Sequence, residues 1–283
     1  MSNFDKMYLD LSKKILDEGH YDDGKNRTST PTYRLLHQVL EFDLEKEFPI
    51  LTTKLVAFKQ AVLEMLWIYQ VQSNDVGWLQ ERGIKIWNEW QIDKNGWYNG
   101  KEFGKEYAGT IGTAYGWIVN KYKLIQQLIN IIKTDPHNRR MIMSLWQNEF
   151  LSTAALPSCV WNTQWSVFDG KLNVIVSVRS NDVPLGMPFN VTQYATLTCL
   201  LAQVTDLKPG KMTYVINDAH IYYDQIDGIR EQLKRYDMAK PAPKLWLNPE
   251  IKDFFSFDNS KELKDIKLVG YEHLGKISMP VSV

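Results

Sequence analysis

Two β-forming stretches, residues 162–168 and 172–179, face each other across Asp169-Gly170, and this arrangement constrains the chain more than any other. Asp-Gly accepts the left-handed backbone that a tight hairpin needs, and the flanking runs are rich in β-branched and aromatic residues. A sheet is therefore predicted, with further strands over 39–42, 141–146, 211–216 and 245–247. Helical periodicity surrounds it. Residues 1–19 put Phe4, Met7, Tyr8, Leu11 and Ile15 on one face, with Gly19 as a C-cap. Residues 54–72 are apolar around most of the helix circumference, and 124–132, 191–205 and 222–233 also read as helices. Residues 21–30 read as a polar loop, 45–48 as a turn, and the Gly-rich stretch 93–112 as an exposed loop. No repeat or linker interrupts the pattern. The expected architecture is α+β, a single domain over residues 1–283 with a large twisted mixed β-sheet flanked by helices.

Composition narrows the class. Lys+Arg and Asp+Glu both number 33, so no bulk field favours nucleic acid or an anionic membrane. Ten Trp, 14 Tyr and 11 Phe exclude a disordered chain. No apolar run reaches the roughly 18 residues of a membrane helix, and residues 1–19 are too charged for a signal peptide. Two cysteines in such a chain fit reduced thiols, and the expected location is the cytoplasm.

The polar residues are concentrated in LPSCVWNTQW (156–165), RSNDVPLGMPFN (179–190) and DAHIY (218–222). Two readings are open for Cys159: a small buried hydrophobe, as suits Cys199 in its apolar run, or a nucleophile whose thiolate Arg179 would favour. Arg27, Arg139, Arg140 and Arg179 could grip a phosphate, since guanidinium is planar, permanently charged and bidentate. The Arg139-Arg140 doublet could equally be a solvated pair. Glu64 lies in the apolar helix, so it either faces a cavity with a raised pKa or points to solvent. Asn181, Asp182 and Asn190 surround a turn expected at Gly186-Met187-Pro188; a carboxamide there could read the edge of a heterocycle such as uracil. Turn asparagines more often simply cap the chain. His220 and Tyr222, two apart after a strand, could share a side. Without a Cys/His cluster or a Gly-rich phosphate loop, no metal site and no P-loop are expected.

In this order, these blocks resemble the thymidylate synthase family, in a bacillus-type or related phage form. The resemblance runs from Asn26-Arg27-Thr28 through FPILTTK (48–54), EMLW (64–67), IWNEW (86–90), AYG (114–116), NRR (138–140), 179–190 and 218–222 to the terminal PVSV (280–283). It implies reductive methylation of dUMP to dTMP with 5,10-methylenetetrahydrofolate as cosubstrate, releasing dihydrofolate, and no metal. Cys159 would add to C6 of dUMP. Arg27, Arg179 and Ser180 would hold its phosphate, with Arg139 and Arg140 donated by the partner of a homodimer. Asn190 would read the base, with Asp182 nearby, and His220 with Tyr222 would bind the ribose hydroxyl. Glu64 would relay protons and Tyr115 would help remove the C5 proton. Trp87, Trp90, Asp182 and Gly186 would contact the folate, and the Val283 carboxylate would close the site. No membrane and no DNA are required.

The sequence departs from the family pattern at Ser158, where proline is usual, at Val160, where histidine is usual, and at Asn217, where glycine is common. The alternative is a pyrimidine nucleotide hydroxymethylase of the same superfamily, in which water captures the methylene. The cytidylate-specific branch carries aspartate where Asn190 stands, so asparagine argues for dUMP.

Overall fold

The computed structural model describes residues 2–25 and 28–282. Its helices are α1 (Asn3–Glu18), α2 (Phe58–Tyr69), α3 (Val76–Glu81), α4 (Gly116–Lys121), α5 (Leu124–Thr134), α6 (Gly186–Val204) and α7 (Ile226–Leu233). Its strands are β1 (His20–Asp22), β2 (Thr32–Asp43), β3 (Trp97–Tyr98), β4 (Lys101–Glu102), β5 (Ile142–Ser144), β6 (Val160–Phe168), β7 (Lys171–Val178), β8 (Asn181–Asp182), β9 (Lys208–Tyr222), β10 (Lys244–Leu247) and β11 (Ile266–Val269). The fold is α+β. Seven strands form a mixed sheet in the order β1-β2-β9-β7-β6-β5, with β8 beside β9. The β7 and β8 pairings with β9 are parallel and the others antiparallel.

The hairpin read from Asp169-Gly170 forms, with φ of 48° and 70° at its two turn residues. Alternation then sorts the side chains of β7. Leu172, Val174, Val176 and Val178 point into the core, while Ile175 is 41 % exposed on the other face. The inner face is covered by α1 and by α6, which is wedged between the sheet and α2. That position explains why α6 is buried on nearly every side. The α1 N-terminus is anchored by the buried Asp5, whose carboxylate accepts from the amides and hydroxyls of both Thr52 and Thr53.

Several boundaries differ from the sequence expectation. The segment Gly186-Met187-Pro188 is not a turn but the first turn of α6. Proline is tolerated there because the first N–H groups of a helix lack intrahelical partners anyway. The helix expected over 54–72 is shorter, and that expected over 222–233 begins at Ile226 after a 3-10 turn. Strand β9 continues to Tyr222, so Asp218, His220 and Tyr222 lie on it rather than after it. Residues 93–112 contain the small β3–β4 hairpin. Strand β10 pairs with β11, which sequence reading missed. No described helix is long and apolar enough to cross a membrane.

Candidate active site

Above the C-terminal ends of β7 and β8 lies a cleft of about 730 Å³. It is lined by Glu64, Trp87, Trp90, Tyr115, Cys159, Arg179, Ser180, Asp182, Gly186, Asn190, His220 and Tyr222, so residues from six sequence blocks meet in one space. Arg139 and Arg140 do not join them; they are exposed just before β5. Arg27 and Val283 lie outside the described residues.

Cys159 stands immediately before β6 and is partly buried. Arg179, at the end of the neighbouring β7, holds the loop that presents it. Its Nε donates to the Ser158 carbonyl at 3.0 Å and its NH2 to that of Pro157 at 2.7 Å. The same NH2 lies 3.9 Å from Cys159 Sγ, so a cation faces the thiol. The Ser158 departure falls on a residue that serves through its main-chain carbonyl. The Arg179 guanidinium also lies over the Trp146 ring, 5.6 Å from its centroid.

The amide of Cys159 donates to the hydroxyl of Tyr115 at 3.0 Å. Tyr115 has φ 46° and ψ −108°, a backbone that L-residues rarely adopt and that costs on the order of 1–3 kcal/mol. The next residue has to be glycine, since a Cβ at Gly116 would lie 2.0 Å from the Ser73 carbonyl oxygen. Burial pushes the Tyr115 phenol well above its ordinary pKa, so it works as a neutral hydroxyl.

Glu64 comes from α2 and its carboxylate accepts twice. Trp87 Nε1 donates to Oε1 at 2.7 Å and Gln193 Nε2 to Oε2 at 2.6 Å. Burial nevertheless pushes its pKa up to about 7, the two donors only moderating the rise. This is a proton-transfer pKa at neutral pH. Trp87 also packs edge-to-face on Tyr115 and Trp90, at 5.2 and 5.5 Å between centroids. Trp90 Nε1 is buried without a hydrogen-bond partner.

On the far wall, His220 Nδ1 and Asp218 Oδ1 are 3.1 Å apart, and the rings of His220 and Tyr222 meet edge-to-face at 5.0 Å. Arg34, from β2, bridges Asp218 and Asp22. Burial opposes the charge on Asp218, but the bonds from His220 and Arg34 outweigh it and hold its carboxyl below the usual range. Asp182 Oδ1 accepts from the Leu185 amide, just before α6, at 2.9 Å. Its Oδ2 accepts from Gln225 at 3.1 Å, and burial pushes its pKa up. Gln225 also donates to the Pro280 carbonyl at 3.1 Å, tying the C-terminal segment to the cleft.

Sequence reading missed Arg34, Trp146, Gln193 and Gln225. Gln193 follows Asn190 by three residues, a spacing that shares a helix face, but the helix start set at residue 191 hid the relation. Among the described residues no group of His, Cys, Asp and Glu could hold a metal ion.

The comparisons with known proteins agree over the whole chain. The family model described as Thymidylate synthase matches residues 6–283. The chain is 50 % identical to a thymidylate synthase of Clostridium beijerinckii over 283 residues, all of both chains. It is 38 % identical to that of Bacillus phage phi3T over 300 residues, again all of both. The structure resembles a thermostable thymidylate synthase A from Bacillus subtilis, with a TM-score of 0.87, 38 % identity and 99 % of each chain covered. The fold and these matches make the protein a methyltransferase. The chain belongs to the thymidylate synthase family.

Proposed function

We propose that this protein, as one domain over residues 1–283, converts dUMP to dTMP with 5,10-methylenetetrahydrofolate and releases dihydrofolate. The observation that carries the reading is the pairing of Cys159 with Arg179, in a cleft that also holds a carboxamide and a carboxyl of pKa about 7. Sγ of Cys159 bonds to C6 of the pyrimidine, and the C5=C6 electron pair moves toward O4. Asn190 donates to O4 where that charge develops, which lowers the barrier rather than merely improving binding. C5 then takes the one-carbon unit. Tyr115, hydrogen-bonded to the Cys159 amide, has its own O–H free for an ordered water that accepts the C5 proton. Glu64 relays protons between solvent and the pyrimidine. Loss of the C5 proton expels tetrahydrofolate and leaves an exocyclic methylene; hydride from tetrahydrofolate then reduces it to a methyl as Sγ is expelled, giving dTMP and dihydrofolate.

The folate supplies the carbon and the hydride. The wall formed by Trp87 and Trp90 suits a flat heterocycle, and the unpartnered Trp90 N–H offers it a donor. Asp182 and Gly186 line the same cleft, and a site that excludes water keeps it from trapping the one-carbon unit. The relatives' names favour this reading over a hydroxymethylase. Arg27, Arg179 and Ser180 bind the phosphate, and His220 with Tyr222 the ribose hydroxyl.

A homodimer, resident in the cytoplasm, follows from the same reading. Val39, Ile142, Trp161 and Ile175 are 58, 51, 38 and 41 % exposed on sheet strands. This apolar face suits a second copy of the chain, and Arg139 and Arg140, beside β5, would then enter the neighbouring cleft. Replacing Cys159 by alanine tests the core of the mechanism. Turnover is expected to vanish while dUMP binding stays within a few-fold; residual turnover near wild type would refute the covalent step.

A further inference from the structure

We propose that Gln193 sets the base selectivity of the cleft by fixing which way the Asn190 carboxamide faces; the inference rests on Asn190 being the residue that meets the pyrimidine. Gln193, 4 % exposed on α6, has its amide nitrogen 3.2 Å from the Ala61 carbonyl oxygen and 2.6 Å from Glu64 Oε2. The Ala61 carbonyl can only accept, as does Glu64 when ionised, so NH2 lies on that side and Oε1 on the other. Oε1 lies 3.2 Å from the Asn190 amide nitrogen. Asn190 must therefore present NH2 to Gln193, which leaves its Oδ1 3.3 Å from the Asn181 amide nitrogen. Asn181 Oδ1 in turn accepts from the Tyr214 hydroxyl at 2.9 Å.

The two ends of this chain differ in strength. A tyrosine hydroxyl can donate or accept, so Tyr214 would tolerate a reversed Asn181. The Ala61 carbonyl cannot reverse. Direction is imposed from the Gln193 end.

With one N–H given to Gln193 and one lone pair to Asn181, Asn190 keeps one N–H and one lone pair for the cleft. Uracil offers a matching edge, the O4 acceptor beside the N3–H donor. Cytosine offers the inverse, an amino donor beside an N3 acceptor. Reading cytosine requires a flipped Asn190, which would set Oδ1 against Gln193 Oε1 and NH2 against the NH2 of Asn181. A network of matched pairs, buried at Gln193 and Asn181, penalises such a flip. Gln193 is thus a positioning residue: it contacts Asn190 and Glu64 and acts on the base through the former.

Calorimetric titration of the full-length protein with dUMP and with dCMP tests this. The wild type is expected to bind dUMP more tightly. Gln193→Met removes the acceptor that orients Asn190, and the dUMP/dCMP affinity ratio should fall by at least ~10-fold. Gln193→Glu keeps an acceptor toward Asn190 and, with a proton held toward Ala61 and Glu64, serves as the folded control in titrations at mildly acidic pH. Its affinity ratio should stay near wild type, while its pH–rate profile shifts because a second carboxyl now lies beside Glu64. An unchanged ratio in Gln193→Met, equal weakening of both nucleotides, or loss of the ratio in Gln193→Glu as well would overturn the inference. A wild type with no preference for dUMP would instead refute the reading of Asn190, and the inference with it.

Discussion

The backbone N–H of Cys159 donates to the hydroxyl of Tyr115 at 3.0 Å, although the two residues are 44 positions apart. This bond joins the loop that presents the thiol to the α4 segment, whose first glycine is pressed against the Ser73 carbonyl. The rare Tyr115 backbone and the placement of the nucleophile are therefore parts of one local arrangement.

Tyr115→Phe leaves that N–H without its acceptor in a partly buried site. An orphaned donor costs about 1–3 kcal/mol, which should lower the midpoint of thermal unfolding by several degrees. Turnover should fall more than dUMP affinity, because the hydroxyl acts on the reacting centre. A variant with wild-type turnover would remove Tyr115 from the mechanism.

Arg179→Lys keeps the charge but loses the fork that spans Pro157, Ser158 and Sγ. A weaker hold on the thiolate leaves less of the reactive form at neutral pH. Alkylation of Cys159 by iodoacetamide should then slow by roughly tenfold, and an unchanged rate would mean the guanidinium does not activate the thiol.

Glu64 predicts a pH dependence of stability. Its folded-state pKa of about 7 lies above the ordinary 4.5. Between those values the folded chain holds more protons than the unfolded one, so stability falls as pH rises through that window and then levels off. The shift corresponds to roughly 3 kcal/mol. Glu64→Gln should flatten this part of the profile in denaturant titrations. It should also lose most turnover, because one of its amide edges must meet Trp87 Nε1 or Gln193 Nε2 donor to donor. A profile as steep as wild type would assign the raised pKa elsewhere.

Ile175 is exposed, so Ile175→Glu should leave the stability of an isolated chain almost untouched. At a dimer face it would be disruptive. Light scattering should report a monomer, and turnover should be lost with the arginines of the partner. A fully active monomer would contradict both the dimer and the shared arginines.

Much of this was legible in the chain. Asp169-Gly170 specified the β6–β7 hairpin because its backbone demands are local. The cleft residues were legible because Cys159, Arg179, Asn190 and His220 are chemically distinctive types in short blocks. Arg34 was hidden, since Tyr33, Leu35 and Leu36 are apolar on both parities of β2 and leave no alternation to read. Gln193 was hidden by Pro188, whose usual meaning is a turn but which here sits in the first turn of α6. The β10–β11 pairing joins segments separated by a long irregular stretch, and no local signal specifies such a partner.

The most direct test is to incubate the protein with dUMP and 5,10-methylenetetrahydrofolate, follow dihydrofolate by absorbance, and identify the nucleotide by mass. Dihydrofolate appearing in equal amount with dTMP is the predicted result. Hydroxymethyl-dUMP formed without dihydrofolate would contradict the account.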